Sequence, residues 1–355
     1  MTEDVRALDI QDVVIEYKRK REVIQAVAGV SLSVDSGEVV GLVGESGCGK
    51  STLAKGAVGL LRPAEGQILF HGEAVIPLKR GGRPTNQRNL QMIFQDPQSS
   101  LNPRRTVGSQ IVDGIRLASD VPRDRETKRV GELLEQVGLS PDAGSSYPHQ
   151  FSGGQRQRIC IARALAAQPT VLVADEPISA LDASAQAQIA NLLIELTKKL
   201  GIALLFISHD LSIVREIADR VAVMYLGKIV EAGKPNDLWN RPLHPYTRAL
   251  INAVPTVDKA ELPAALAGEV PDPAAPPPGC RFHTRCPHAF DQCWQQEPEL
   301  LEILDQNYAA CWLNEPGRPG KELVDPESLV GQSEGHPNGS TQSEPAATRD
   351  HHGTS

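Results

Sequence analysis

The stretch Gly44-Glu45-Ser46-Gly47-Cys48-Gly49-Lys50-Ser51-Thr52 fits the spacing G-x-x-x-x-G-K-[ST], with Gly44, Gly49, Lys50 and Ser51 at its fixed places. The residues before it, Glu38 to Val43, read as a buried strand, and Ser51 to Leu61 read as a helix. Glycines between a strand and a helix let successive backbone N–H groups turn inward as an anion-binding nest, and the helix N-terminus adds partial positive charge. Lys50 is then placed to reach the β- and γ-phosphates of a nucleoside triphosphate, and the Ser51 hydroxyl to ligate Mg²⁺.

Upstream, Ile10 to Tyr17 and Val23 to Val34 read as strands around the basic turn Lys18-Arg19-Lys20-Arg21. Tyr17 has two readings here, an aromatic that stacks on a nucleobase and a strand-end residue that covers the sheet. Downstream, a strand begins at Gly66, a basic glycine-rich loop spans 79–89, and Leu90 to Phe94 form a short strand that delivers Gln95. Ligands of open α/β sheets sit beyond the C-terminal ends of strands, which puts Gln95 near the metal or the attacking water. Asp96 to Thr106 carry too much proline and turn chemistry for helix or strand, and Val107 to about Leu139 turn helical. A second glycine-rich helix mouth, Phe151-Ser152-Gly153-Gly154-Gln155, opens a helix to about Ala167. Two such mouths in one chain suggest that each nucleotide is gripped by two subunits, head to tail.

Val171 to Ala174 form an apolar strand ending in Asp175-Glu176, two carboxylates beside the phosphate loop. Asp175 is expected to hold Mg²⁺, and Glu176 to orient and deprotonate a hydrolytic water. Ser179 to Asp182 turn into a helix over Ala183 to Leu200, and the strand Ile202 to Ile207 delivers His209 to the γ-phosphate. Strands at Val221 to Tyr225 and Lys228 to Val230 complete the unit near Leu238. The fold class is α/β, of the P-loop nucleoside triphosphatase type.

Composition limits the alternatives. A net charge of -8 over 355 residues argues against nucleic acid as the main partner. No apolar run approaches the roughly 18 residues of a membrane helix, and no signal peptide is evident, so a soluble, intracellular chain is expected. Six cysteines in that setting favour free thiols or metal ligands over disulfides. Cys48, close to Lys50 and a helix N-terminus, is expected to have a lowered pKa, whereas Cys160 reads as core.

Together, the phosphate loop, Gln95, Phe151 to Gln155, Asp175-Glu176, Asp182 and His209 resemble the ordered motif set of ABC ATPases over roughly Ala7 to Pro255. Gln95 to Arg104, Tyr147 to Phe151, His244-Pro-Tyr-Thr-Arg248 and Ala253 to Pro255 are similar to the ATPase subunits of oligopeptide and dipeptide ABC importers. Gln155-Arg-Gln-Arg158 is closer to their F-type than their D-type subunit. The resemblance implies a RecA-like core with an antiparallel β subdomain and a helical subdomain at about 96–165. It implies an ATPase using ATP and Mg²⁺, with Ser51, Gln95 and Asp175 at the metal. Ser152, Gly153, Gly154 and Gln155 would serve ATP held by a partner subunit, and Asp182 would lie in the D-loop. Implied partners are two permease subunits, a second and paralogous ATPase and, indirectly, an extracytoplasmic solute-binding protein. The implied place is the cytoplasmic face of the inner membrane, as a peripheral protein.

Beyond a stiff proline-rich linker at Pro271 to Gly279 come Cys280, Cys286, Cys293 and Cys311. The segment Gly279 to Pro287 resembles the cysteine-bearing C-terminal extension of the same importers. A [4Fe–4S] cluster, a Zn²⁺ site and unliganded packing cysteines all stay open, since the C-x2-C pairs common in zinc sites are missing. The expected division is 1–255 for the nucleotide-binding domain, 256–314 for the extension and 315–355 for a disordered tail. A soluble, non-transport ABC ATPase and an ATP-gated redox or interaction protein are the alternative functions.

Overall fold

The computed structural model describes residues 5–19, 22–78, 82–118, 121–254 and 268–315. The tail expected from 315, its first residue apart, the expected boundary at 255 and part of the basic loop at 79–89 lie outside these residues. Two long strands, β1 (Leu8–Arg19) and β2 (Glu22–Val34), pair antiparallel. The wholly buried β3 (Val39–Val43) leads into the glycine-rich loop and helix α1 (Lys50–Ala57). That helix stops short of the expected Leu61, because Gly59 takes a left-handed φ of 71° just past its end. Strands β4 (Glu65–Phe70) and β5 (Glu73–Ala74) complete an antiparallel sheet of order β2-β1-β4-β5.

Strand β6 (Leu90–Ile93) is followed by helices α2 (Pro97–Ser100), α3 (Val107–Ala118), α4 (Glu126–Gln136) and α5 (Gly153–Ala166). Helix α2 corrects the expectation that Asp96 to Thr106 hold no regular structure. The Asp96 carboxylate accepts the Gln98 and Ser99 N–H groups at 2.8 and 3.2 Å, and Pro97 occupies the first helical position. A proline there opens a helix, since its missing N–H has no intrahelical partner in any case.

Next come β7 (Val171–Asp175), α6 (Ala183–Leu200), β8 (Ala203–Ser208), α7 (Leu211–Ile217), β9 (Arg220–Tyr225) and β10 (Lys228–Gly233). The C-terminal part adds α8 (Pro235–Asn240), α9 (Pro245–Asn252), α10 (Asp291–Gln295), β11 (Leu301–Leu304) and β12 (Asn307–Ala309). The central sheet runs β11-β12-β10-β9-β3-β8-β7-β6, parallel from β9 to β6 and antiparallel beyond β9. Strands β11 and β12, from the C-terminal region, thus belong to the same sheet as the phosphate loop.

Parallel strands need cover on both faces, and alternation within β8 supplies it. Ala203, Leu205 and Ile207 join the core under β1, β2 and α1, while Leu204 and Phe206 join the core beneath helices α3 to α7. The proline-rich stretch expected to be a stiff linker is broken by a turn, in which Ala274 N–H donates to the Asp272 carboxylate at 2.9 Å.

Helix α9 is capped by a buried histidine. The His244 Nδ1 accepts the Tyr246 N–H at 3.0 Å, and burial pushes the imidazole pKa down to about 3. An unfolded histidine takes its proton near pH 6.5. Between about 6.5 and 3 the unfolded chain binds a proton that the folded chain refuses, so this contribution is complete above 6.5 and is lost as pH falls. The loss between pH 6.5 and 5 is about 2 kcal/mol. Glu231, which accepts the Leu243 and His244 N–H groups at 2.7 and 2.8 Å, is pushed up to about 7 by burial and acts in the opposite sense. The difference between wild type and His244→Asn therefore isolates the histidine. Asparagine keeps a helix cap without titrating, and the variant is expected to lose less stability in urea melts from pH 7 to 5.

Candidate nucleotide site

The parallel strands aim their C-terminal ends at one place: β3 carries the glycine-rich loop, β6 carries Gln95, β7 carries Asp175-Glu176, and β8 carries Ser208-His209. The loop can pass so close to its neighbours only because it is glycine. A Cβ on Gly44 would stand 2.1 Å from the Met224 carbonyl oxygen, and one on Gly49, at φ 109°, would stand 2.1 Å from that of Ala26.

Lys50 is 4% exposed, and its ammonium donates to the Gly44 and Glu45 carbonyls at 2.7 and 2.9 Å. Ser51 Oγ donates to Asp175 Oδ1 at 2.8 Å. Burial above all, and the adjoining Glu176 carboxylate, push the Asp175 carboxyl up, against the pull of the Ser51 hydrogen bond. A hydroxyl and a carboxylate in contact beside a phosphate loop are hard oxygen donors of the kind Mg²⁺ takes, so these residues fit that ion.

Gln95 Nε2 donates to Glu176 Oε2 at 2.8 Å, and His209 Nδ1 lies 3.7 Å from the same oxygen. Glu176 holds a φ of 45°, rare for a residue with a Cβ. Its N–H bonds the Ile207 carbonyl of β8, which fixes the carboxylate where the two strands end. Strain of this kind collects at functional sites. Tyr17 lies at the margin, 40% exposed, with its hydroxyl 3.3 Å from Thr52 Oγ1. Ser46 and Gly47 are exposed at the loop tip.

The structure therefore brings Gly44 to Thr52, Gln95, Asp175, Glu176 and His209 together. Ser152 caps α5 elsewhere, its Oγ accepting the Gln155 N–H at 3.3 Å while Gln155 Oε1 accepts the Ser152 N–H at 3.0 Å. Among the described residues no hydrogen bond or ion pair joins Ser152, Gly153, Gly154 or Gln155 to the phosphate loop. Asp182 caps α6 by accepting the Ala185 N–H at 3.0 Å.

One loop expectation is corrected. Cys48 is 3% exposed, and burial raises its thiol pKa in spite of Lys50, whose Nζ is 3.8 Å away. The desolvated thiolate costs more than the neighbouring ammonium returns.

All six cysteines are free thiols. Burial pushes the thiols of Cys280 and Cys311 up to about 11 and 12, and that of Cys286 upward. Among the described residues no group of three His, Cys, Asp or Glu is arranged to hold a metal ion. The metal site expected from these cysteines is not assembled here.

Sequence reasoning missed a set of loop contacts. Glu45 N–H donates to the Tyr246 hydroxyl at 2.8 Å, and the Glu45 carboxylate is gripped at both oxygens by Arg285, at 2.6 and 3.1 Å. No local pattern marks either partner, although both fall in stretches picked out by their family resemblance.

A parallel sheet whose strand ends join a phosphate loop, an aspartate on the loop serine and a following glutamate defines a P-loop nucleoside triphosphatase. Residues 27–179 match the ABC transporter family model, and residues 230–293 match the oligopeptide/dipeptide transporter C-terminal region. The chain is 49% identical over 302 residues to the oligopeptide transport ATP-binding protein AppF of Bacillus subtilis, across 84% of this chain and 92% of that protein. The structure of cbiO1 from Clostridium perfringens, part of the cbiONQ ABC transporter complex, aligns with a TM-score of 0.58 and 31% identity over 67% of this chain and 91% of that one. The cassette MJ0796, in a dimeric post-hydrolysis state with ADP and Pi, aligns at 0.59 and 29% over 64% and 98%. The chain belongs to the ABC transporter family, as an ATP-hydrolysing cassette bearing the oligopeptide/dipeptide transporter C-terminal region.

Proposed function

We propose that this chain hydrolyses ATP to drive uptake of oligopeptides or dipeptides, as one of two ATPase subunits beneath a pair of permeases. The observation that carries this reading is the assembly of Lys50, Ser51, Asp175, Glu176 and Gln95 at one set of strand ends, with Ser152 to Gln155 forming a separate helix mouth. An unjoined helix mouth that opens on Gly153 and Gly154 suits ATP held by a second subunit, in keeping with the dimer described for MJ0796.

In this reading the loop N–H groups and Lys50 hold the phosphates, and Tyr17 lies beside the base. Mg²⁺, held by Ser51 and Asp175 with Gln95 nearby, would neutralise charge growing on the phosphates. Glu176 takes a proton from the attacking water as its oxygen bonds the γ-phosphorus. The bond to the ADP oxygen breaks, releasing ADP and inorganic phosphate. His209 steadies the γ-phosphate, and Asp182 lies at the subunit boundary. Residues 1–255 form the nucleotide-binding domain, with 96–165 as its helical subdomain, and 256–314 form the extension. Among the described residues no helix is long and apolar enough to cross a membrane, so attachment to the cytoplasmic face of the inner membrane would run through the permeases.

The test is affinity purification of the tagged chain from its own cells in mild detergent. Two permeases and a paralogous ATPase are expected; recovery of ribosomes or repair factors without a membrane protein would refute the importer reading. The four cysteines between 280 and 311 are the ground for a [4Fe–4S] cluster as the finer part of this proposal, although the described residues do not assemble its site. The same preparation made without oxygen should then contain iron that Cys286→Ser removes, and iron-free protein would end that part.

A further inference from the structure

The C-terminal region reaches the heart of the phosphate loop through the buried side chain of Arg285, beside that of Tyr246. The Arg285 side chain is 3% exposed, against 23% for Glu45, and the two form a bidentate pair. Its guanidinium lies 6.0 Å from the centre of the Phe282 ring and 5.8 Å from that of Tyr225. Phe282 in turn packs on Tyr246, ring centres 5.4 Å apart, and the Tyr246 hydroxyl accepts the Glu45 N–H. The Glu45 carbonyl accepts the Lys50 ammonium. Glu45 is therefore held at its N–H, its carbonyl and its carboxylate, and two of these holds come from residues 201 and 240 positions later in the chain.

A carboxylate in a loop built to bind phosphates has the wrong charge for its place. Bare, it would repel the incoming anion and free the loop to move. Paired at both oxygens with a planar guanidinium, it is neutralised and fixed in direction. We infer that Arg285 is a positioning residue of the ATP site, through which the C-terminal region sets how tightly the phosphate loop binds ATP. The inference rests on the ATP site proposed above and adds a residue outside its motifs.

The experiment measures ATP binding by equilibrium dialysis on the full chain, with a chelator present so that no turnover takes place. Arg285→Gln is expected to raise the Kd about tenfold, the scale of one charge-assisted hydrogen bond. Arg285→Lys, which keeps the charge, should restore most of the affinity. The deciding variant is the double substitution Glu45→Gln with Arg285→Gln, which removes the carboxylate that Arg285 neutralises. It should bind ATP more tightly than Arg285→Gln alone. Melting temperatures of all the variants without nucleotide separate this effect from damage to the fold, which an unpaired carboxylate would also cause and its removal would also relieve. Wild-type affinity in Arg285→Gln, or a double variant no better than the single one, would overturn the inference. A wild-type chain that fails to bind ATP would instead count against the ATP site itself.

Discussion

Glu176→Gln is expected to lower ATP turnover by about 10²–10⁴-fold, the usual worth of a general base. ATP affinity should stay within about threefold, because only a transition-state interaction is removed. The substitution keeps the side chain's size and leaves an oxygen to accept the Gln95 amide, now 2.8 Å from Oε2. It removes the carboxylate's capacity to take a proton from water. The Glu176 N–H bond to Ile207 is untouched, so the left-handed backbone keeps its support. A variant that binds ATP and turns it over at the wild-type rate would remove Glu176 from the role of base.

Lys50→Ala acts a step earlier. The buried ammonium is the cation that the loop holds over its own carbonyls, and a triphosphate offers it stronger, charged acceptors. Losing two charge-assisted hydrogen bonds, at about 1.5 kcal/mol or more each, corresponds to roughly a 100-fold rise in the Kd for ATP. Turnover falls with it. Melting temperatures of the two proteins measured without nucleotide separate this effect from instability, since the cavity left by the lysine stem also carries a cost. Tight ATP binding by Lys50→Ala would sink the assignment of this loop as the phosphate site.

Most of the site was readable in advance because its chemistry sits at places where sequence pattern is strongest. A buried strand shows as an apolar run, and the residues that end it, such as Asp175-Glu176 after Val171 to Ala174, are delivered to the same rim of the sheet. The capping box of Ser152 and Gln155 is likewise local, three residues apart. The errors arose where local chemistry gave the opposite cue to its surroundings. Pro97 looks like a helix breaker until Asp96 caps it, and Cys48 looks activated by Lys50 until its burial is known. The grip of Arg285 and Tyr246 on Glu45 was out of reach, because it depends on how distant segments fold together and leaves no periodicity in either. The same holds for β12, a short strand whose partner β10 lies far earlier in the chain, and for β11, which pairs with β12.

The last strands also guard against unwanted association. β12 covers the outer side of β10, with Ala309 opposite Glu231 and the Ala310 N–H bonded to the Val230 carbonyl. A chain cut after α9 would end its sheet on β10, whose row of free N–H and C=O groups would template pairing with another molecule. The native rim is instead β11, four residues long with Glu302 on it, a poor seed for growth. Shortened versions of this protein should therefore be judged first by their tendency to aggregate, before any loss of ATP binding is read as a defect of the site.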